Sequence, residues 1–361
     1  MKAMVLAAGY GERMKPLTWN RAKPALPLLN RPSILHLLEH LAGSGISQVT
    51  LNLHYRPDTI RALEPRIKEL GLRAGFSEEA VILGTGGGLK NAEAFLSNGT
   101  FLMVNSDFVT DCPILLALEH HRQSQALATL ILTPYREGTE YGAVEMAEDG
   151  RIVRIAGRPG PDSGKPRYHF TGIHILEQRI FKEIPGGVKS EINREVYPRL
   201  ILSGARISGY VHQGFWRELG TPQRYLDGSL DLLSRGDSKF LQRTRVSEGV
   251  FSATPLSELK GTVEAAFLAG AELKMEEGTF AAGVVLGDRV HLNRGSSITR
   301  TVLWDDVVVG EGSSLDECIL GSGARIPPKT RLHRKIALDA ASYGGDLKGL
   351  EPMAGLLMTS F

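Results

Sequence analysis

Along the first half of the chain, short apolar runs alternate with longer stretches whose apolar residues recur every three or four positions. Ala3–Ala7 is such a run and reads as a strand. Ser33–Ala42 has helical spacing and is punctuated by Gly43 and Gly45. Gln48–Leu53 alternates and is rich in strand formers, and Thr59–Leu70 reads as an amphipathic helix. Phe101–Val104 predicts a short buried strand that ends at Asn105-Ser106-Asp107, followed by a helix over Ile114–Gln123 and a strand over Ala128–Leu132. Strands alternating with helices over this length predict a parallel or mixed sheet covered on both faces.

The middle of the chain has an antiparallel character. Ala143–Met146, the turn pair Asp149-Gly150 and Ile152–Ile155 predict a hairpin, and Phe170–Leu176 a further strand. Glu195–Leu202 and Pro222–Leu233 read as helices, with Ser234–Ser238 as the best linker candidate. Beyond it the period changes. Leu286–Val302, Leu303–Ile319 and Leu320–Ile336 align without gaps, with apolar residues at the first, seventh, thirteenth and last places of each block. Spacings of six, six and five describe a triangular coil whose three short strands each turn one aliphatic residue to the axis, a hexapeptide-type β-helix. Ala269–Val285 reads as a degenerate first coil.

Length and composition narrow this picture. A chain of 361 residues divides here into 1–235, a linker 236–260, and a β-helix with its tail over 261–361. A net charge of +2 gives no reason to expect a nucleic-acid partner, and no apolar run is long enough to span a membrane. The opening apolar run is too short for a signal peptide, which predicts a cytoplasmic protein. Two cysteines, Cys112 and Cys318, make neither a disulfide framework nor a thiolate zinc site. Glycine is over-represented, with 41 residues, so many tight turns or close backbone approaches are expected. The ten histidines form no metal-binding pattern.

Chemistry concentrates in four segments. In Leu6–Leu28 a strand runs into Gly9-Tyr10-Gly11, which lets backbone amides approach an anion, and Arg13 and Lys23 add fixed positive charge. Met14 stands where a dinucleotide fingerprint wants its third glycine, and no Gly-Lys-Ser/Thr follows, so neither of those motifs applies. Glu78–Asn91 carries four glycines within five residues, too many for a helix or strand without cost, and suggests backbone packed against a flat ring. Asp107 ends a buried strand, where α/β folds bind ligands, and Mg²⁺ takes one or two carboxylates plus phosphate oxygens. Asp111 reads as a helix cap. In Trp216–Pro222, Glu218 precedes Thr221 and Pro222, which mark a helix start.

Taken in order, Gly9, Gly11, Arg13, Pro16, Thr18, Lys23 and Pro24 resemble the signature of the sugar-1-phosphate nucleotidyltransferases, closest in pattern to the mannose- or heptose-1-phosphate guanylyltransferases. The resemblance continues through Gly84–Gly88, Asp107, Tyr141–Glu145, Phe170–Leu176 and Trp216–Tyr225. It implies an α/β fold, a Rossmann-like mixed sheet followed by a short left-handed parallel β-helix. It also implies transfer of a nucleotidyl group from an NTP, with GTP favoured, to a sugar 1-phosphate with release of pyrophosphate. Arg13, Lys23 and Asp107 then carry catalysis. Ala7, Ala8, Gly9, Gly11, Gly84, Thr85, Gly86 and Gly87 bind the nucleotide. Asn105, Gly142, Glu145, Arg158, Thr171 and Gly172 bind the sugar phosphate, and Asp107 and Glu218 bind Mg²⁺.

Two departures matter. Glu218 stands where the family usually has aspartate, and Gly157-Arg158-Pro159 where many members have Glu-Lys-Pro. They keep open a non-catalytic relative that binds sugar nucleotides and regulates a partner. A UTP- or dTTP-dependent hexose enzyme also remains open, as does an acyltransferase built on the β-helix, for which His291 and His333 are the histidines to inspect. A structural β-helix protein with a degenerate α/β domain is disfavoured by the intact opening motif. In the leading reading the β-helix serves oligomer contacts or regulation.

Overall fold

The computed structural model describes residues 1–135, 142–236, 241, 244–264 and 266–361. The chain forms two compact units. One comprises Met1–Tyr10, Ala22–Ala25 and Ser33–Arg217; the other comprises Gly11–Arg21, Leu26–Pro32 and Glu218–Phe361. Part of the opening signature thus packs with the C-terminal half of the chain.

The first unit is built on a nine-stranded mixed sheet. Lys2–Leu6 lies at its centre, parallel to Gln48–Leu53 on one side and to Phe101–Asn105 on the other; Arg73–Glu78 extends it in parallel. Arg167–Leu176 runs antiparallel beside Phe101–Asn105. The hairpin Val144–Met146/Ile152–Ile155 forms as the Asp149-Gly150 turn predicts. The strand period of two decides the two cores. Ala3, Val5, Leu102 and Val104 face one apolar cluster, with the helices Ser33–Gly43 and Ile114–Ser124, while Met4, Phe101 and Met103 face the other. Thr59–Leu70 is two short helices, Pro57–Arg61 and Glu64–Glu69, because Pro65 lacks the N–H needed inside one continuous helix and sits in the first turn of the second.

Burial fixes some titratable groups in one state. His174 is fully buried on Arg167–Leu176, its Nδ1 2.7 Å from the Tyr197 hydroxyl, and desolvation pulls its pKa from 6.5 to about 3. Between those values the unfolded chain binds a proton that the folded chain refuses, so stability is lost as pH falls from 6.5. Removing the imidazole, as in His174→Asn, should flatten that slope. Urea unfolding at pH 7 and pH 5 should show a loss about 2 kcal/mol smaller in the variant than in the parent; equal losses contradict the assignment. Burial likewise raises the thiols, Cys112 to about 12 and Cys318 to about 11, so neither is a thiolate near neutral pH.

The second unit contains the parallel β-helix. Its strands pair in register with partners seventeen residues on: Leu286 with Leu303 and Leu303 with Leu320, Leu292 with Val309 and Val309 with Ile326, Ile298 with Leu315 and Leu315 with Leu332. Ala269 pairs with Leu286, Met275 with Leu292 and Ala281 with Ile298, so Ala269–Val285 is a coil of the stack. Val250–Ser252 pairs with Phe267–Ala269 in the same register, so the stretch read as linker from sequence already carries a strand of the stack. The axis is filled by the columns of the first, seventh and thirteenth places, with Cys318 among them, while Val302, Ile319 and Ile336 of the last column are buried outside this cluster. Three columns of left-handed backbone turn the corners: 272, 289, 306 and 323; 278, 295, 312 and 329; 266, 283, 300, 317 and 334. Lys335–Asp339 continues the stack in parallel with Ile319–Leu320, and the antiparallel strands Leu356–Ser360 and Glu351–Met353 extend the sheet beyond it. No described helix is long and apolar enough to cross a membrane.

Candidate active site

In the first unit the candidate residues gather at the carboxyl ends of the central parallel strands, where Leu6 lies between Asn52 and Asn105. Ala7 and Ala8 are buried, and the Ala7 N–H donates to Asn52 Oδ1 at 2.7 Å. Asn52 Nδ2 donates in turn to Glu79 Oε1 at 2.7 Å, and Glu79 Oε2 accepts from the Leu83 N–H at 2.8 Å. One amide and one buried carboxylate thus tie the loop after the first strand to the start of the helix Gly84–Asn91. Sequence reasoning missed both, because Asn52 sits at a polar position of an alternating strand, in step with Gln48 and Thr50, and does not stand out.

Gly84–Gly88 forms the first turns of this helix, which corrects its reading as a loop against a flat ring. Its glycines are needed because protein backbone and side chains press close. A Cβ on Gly87 would lie 2.6 Å from the Val188 carbonyl oxygen, and one on Gly88 2.6 Å from Glu79 Oε1. The Gly86 and Gly87 N–H groups both donate to the Ser190 carbonyl, and Thr85 Oγ1 donates to Glu191 Oε2 at 2.8 Å. Helix propensity alone disfavours such a run, and tertiary packing overrides it. Gly9 differs: nothing lies within 4 Å of its Cβ position and its φ is not left-handed, so protein packing does not require glycine there.

Asp107 follows Phe101–Asn105, and its Oδ2 accepts from Lys23 Nζ at 2.7 Å. The Lys23 side chain is 15% exposed and that of Asp107 26%, so the pair is partly shielded from solvent. Among the described residues no group of three or more histidine, cysteine or acidic side chains stands ready for a metal. A single carboxylate such as Asp107 suits Mg²⁺, which fills its remaining positions with phosphate oxygens and water. Asp111 does not cap the following helix. Its Oδ1 accepts from the Phe215 N–H at 2.7 Å and lies 2.9 Å from His212 Nε2, tying two loops together.

The proposed sugar side is only partly open. Asn105 packs against Gly172, whose φ of 93° and absent side chain make room for it. Thr171 is buried and its hydroxyl donates to the Ile131 carbonyl at 2.7 Å. Glu145 is also buried: Oε1 accepts from Arg154 at 2.6 Å and Oε2 from the Ser163 N–H at 2.8 Å. Burial alone raises the Glu145 carboxyl, but the Ser163 and Arg154 hydrogen bonds outweigh it and hold the group below the ordinary carboxylate range. Gly142 and Arg158 are exposed, the latter joined to Ile155 through backbone hydrogen bonds only. Tyr141 lies outside the described residues.

In the second unit, Gly11 adopts a left-handed conformation and opens a compact loop in which Met14, Leu17 and Thr18 are buried, with the Thr18 hydroxyl donating to the Gly11 carbonyl at 2.9 Å. Arg13 is about half exposed and its Nη2 donates to Glu218 Oε1 at 3.3 Å. Glu218 Oε2 accepts from Arg224 Nη1 at 3.0 Å, so both oxygens of this buried carboxylate are held by arginines. A Cβ on Gly220 would overlap Glu218 Oε1 and approach Arg13 Nη2 at 2.8 Å, which makes glycine a condition of the pair. Thr221 caps the helix Pro222–Arg235 through the Arg224 N–H.

The sequence profile described as nucleotidyl transferase matches residues 2–235. The chain belongs to the nucleotidyl transferase family. Residues 262–350 match a second profile, described as GlmU-like, C-terminal hexapeptide, in line with the repeating coils. A mannose-1-phosphate guanylyltransferase of Mycobacterium tuberculosis is 34% identical over 232 residues, 64% of this chain and 64% of that protein. The alignment therefore spans slightly less than two thirds of that relative's length. A mannose-1-phosphate guanyltransferase of Aspergillus fumigatus is 34% identical over 67% of each chain. Among solved structures, HddC from Yersinia pseudotuberculosis superposes with a TM-score of 0.55 at 20% identity, covering 64% of this chain and 99% of HddC. For this nucleotidyl transferase, that superposition speaks to the fold alone.

Proposed function

We propose that the protein transfers a nucleotidyl group from an NTP, with GTP favoured, to a sugar 1-phosphate of mannose or heptose type, giving an NDP-sugar and pyrophosphate. The Lys23–Asp107 pair at the carboxyl end of the central strands carries this reading, because it sets a fixed cation and a carboxylate where α/β sheets bind their ligands. The named relatives, guanylyltransferases for mannose 1-phosphate, favour guanine and a sugar of that type.

In the proposed reaction an oxygen of the sugar phosphate attacks the α-phosphorus. That bond forms as the bond to the β-phosphate oxygen breaks, and pyrophosphate leaves. The attacking oxygen is already anionic, so no protein nucleophile is needed, and the chain's work is alignment and charge neutralisation. Lys23 and Arg13 supply positive charge to the triphosphate, the Ala7–Gly9 backbone approaches its oxygens, and Arg158 meets the incoming phosphate. Mg²⁺ held by the Asp107 carboxylate would neutralise phosphate oxygens during transfer. Glu218 as a second metal ligand fits less well, since its oxygens already accept from Arg13 and Arg224.

Pyrophosphate release with four NTPs, each paired with several sugar 1-phosphates in the presence of Mg²⁺, tests the proposal. Release that requires both substrates, fastest with GTP and mannose or heptose 1-phosphate, is expected. Fastest release with UTP or dTTP would reassign the base, and binding of an NDP-sugar without turnover by any pair would point to the regulatory relative.

A further inference from the structure

The coils of the β-helix carry Gly270, Gly287 and Gly321 at one shared place, seventeen residues apart, and the fourth residue of that column is Trp304. Glycine is favoured there because the next coil presses in: a Cβ on Gly270 or Gly287 would come within 2.7 Å of backbone one coil on. The coil does not ask for a tryptophan, so its presence needs another cause. Trp304 is only 5% exposed, and what buries it lies elsewhere in the same unit. The Arg21 guanidinium stacks over its ring at 5.0 Å, and its Nε1–H donates to the Tyr225 hydroxyl at 3.1 Å. That hydroxyl donates onward to the Pro27 carbonyl. Two further contacts hold the same stretch of chain: Asn30 Nδ2 donates to the Leu286 carbonyl at 2.6 Å, and Trp19 packs on Tyr343 with ring centroids 5.4 Å apart.

We infer that Trp304 is a positioning residue for the Gly11–Arg21 loop: by clamping Arg21 directly and Pro27 through Tyr225, it presets the segment that carries Arg13. Arg21 ends the loop that bears Arg13, and the clamped Arg21 and Pro27 lie on either side of Lys23 in sequence. A desolvated cation–π contact, one buried and one part-buried hydrogen bond are strong enough to choose one loop conformation over its competitors. The loop is then ordered before nucleotide arrives, and the entropy cost of ordering it is not charged to binding. The kinetic half of this inference rests on the proposed nucleotidyl transfer; the clamp itself does not.

The test compares the full-length protein with Trp304→Gly, which restores the residue used by the other coils, with Tyr225→Phe, which deletes both hydrogen bonds of that hydroxyl, and with Asn30→Ala, which deletes one. Amide hydrogen exchange reads the clamp, and steady-state kinetics with GTP and mannose 1-phosphate reads its consequence. In Trp304→Gly, exchange within 11–21 should quicken at least about tenfold while Lys2–Leu6 and Ile298–Leu303 keep their protection, and KM for GTP should rise about tenfold with kcat changed less than about threefold. Tyr225→Phe and Asn30→Ala should move both readouts the same way by smaller factors, and they decide the matter if Trp304→Gly does not fold. Unchanged exchange in 11–21 overturns the clamp, and faster exchange with an unchanged KM overturns the positioning role. A parent protein inert with every substrate pair overturns the proposed reaction instead, and the exchange readout still decides the clamp.

Discussion

Asp107→Ala should lower pyrophosphate release by at least about a thousandfold while leaving the fold intact. The loss is large because two functions depend on one carboxylate. It is the proposed Mg²⁺ ligand, and it also holds the Lys23 ammonium at 2.7 Å. The fold should survive because Asp107 follows the buried strand rather than lying within it, and its side chain is partly exposed. Thermal unfolding and far-ultraviolet circular dichroism check the fold; a coupled pyrophosphate assay checks turnover. Asp107→Asn sharpens the result. It retains an oxygen that can accept from Lys23 but loses the charge, so activity nearly as low as in the alanine variant assigns the effect to charge. Near-normal release by either variant removes Asp107 from the reaction.

The second large effect is expected from a single methyl group. Gly220→Ala should reduce kcat/KM by about a hundredfold, the cost typical of displacing a catalytic group by about 1 Å. The new Cβ overlaps Glu218 Oε1 and crowds Arg13 Nη2, so the carboxylate must leave the place from which it holds two arginines. Arg13 then loses its anchor, and a buried carboxylate is left without its paired cations, a known source of strong destabilisation. Melting temperature and turnover should both fall. Adding Glu218→Ser to Gly220→Ala removes the overlap without restoring the anchor, so the double variant should regain stability and stay slow. Full activity in Gly220→Ala contradicts the anchoring of Arg13 by Glu218.

The β-helix was legible because its apolar columns repeat at fixed spacing; all four columns pair in register, though only the first, seventh and thirteenth places fill the axis. Its corners were less legible: Arg289, Asp306, Arg300 and Glu317 adopt left-handed backbone without being glycine, so a search for glycine misses much of the corner geometry. Asp107 and Lys23 were candidates by order and residue type, and the fold brings the two together as an ion pair just past a buried strand. Asn52 and Glu79 were hidden because a hydrogen-bonded polar pair leaves no periodic trace. Gly84–Gly88 misled for the opposite reason: local propensity spoke against a helix, whereas the need was to let Val188, Ser190 and Glu79 approach. Trp304 stands out only once the coils are aligned, as the one aromatic residue in a column of glycines.

The most direct measurement follows the α-phosphate. GTP labelled at that position is incubated with mannose 1-phosphate or heptose 1-phosphate, Mg²⁺ and the full-length protein. The account predicts that the label passes into a GDP-sugar, in equal amount with unlabelled pyrophosphate and only when the sugar phosphate is present. Label that stays in GTP, or that appears as GMP independently of the sugar phosphate, would contradict it.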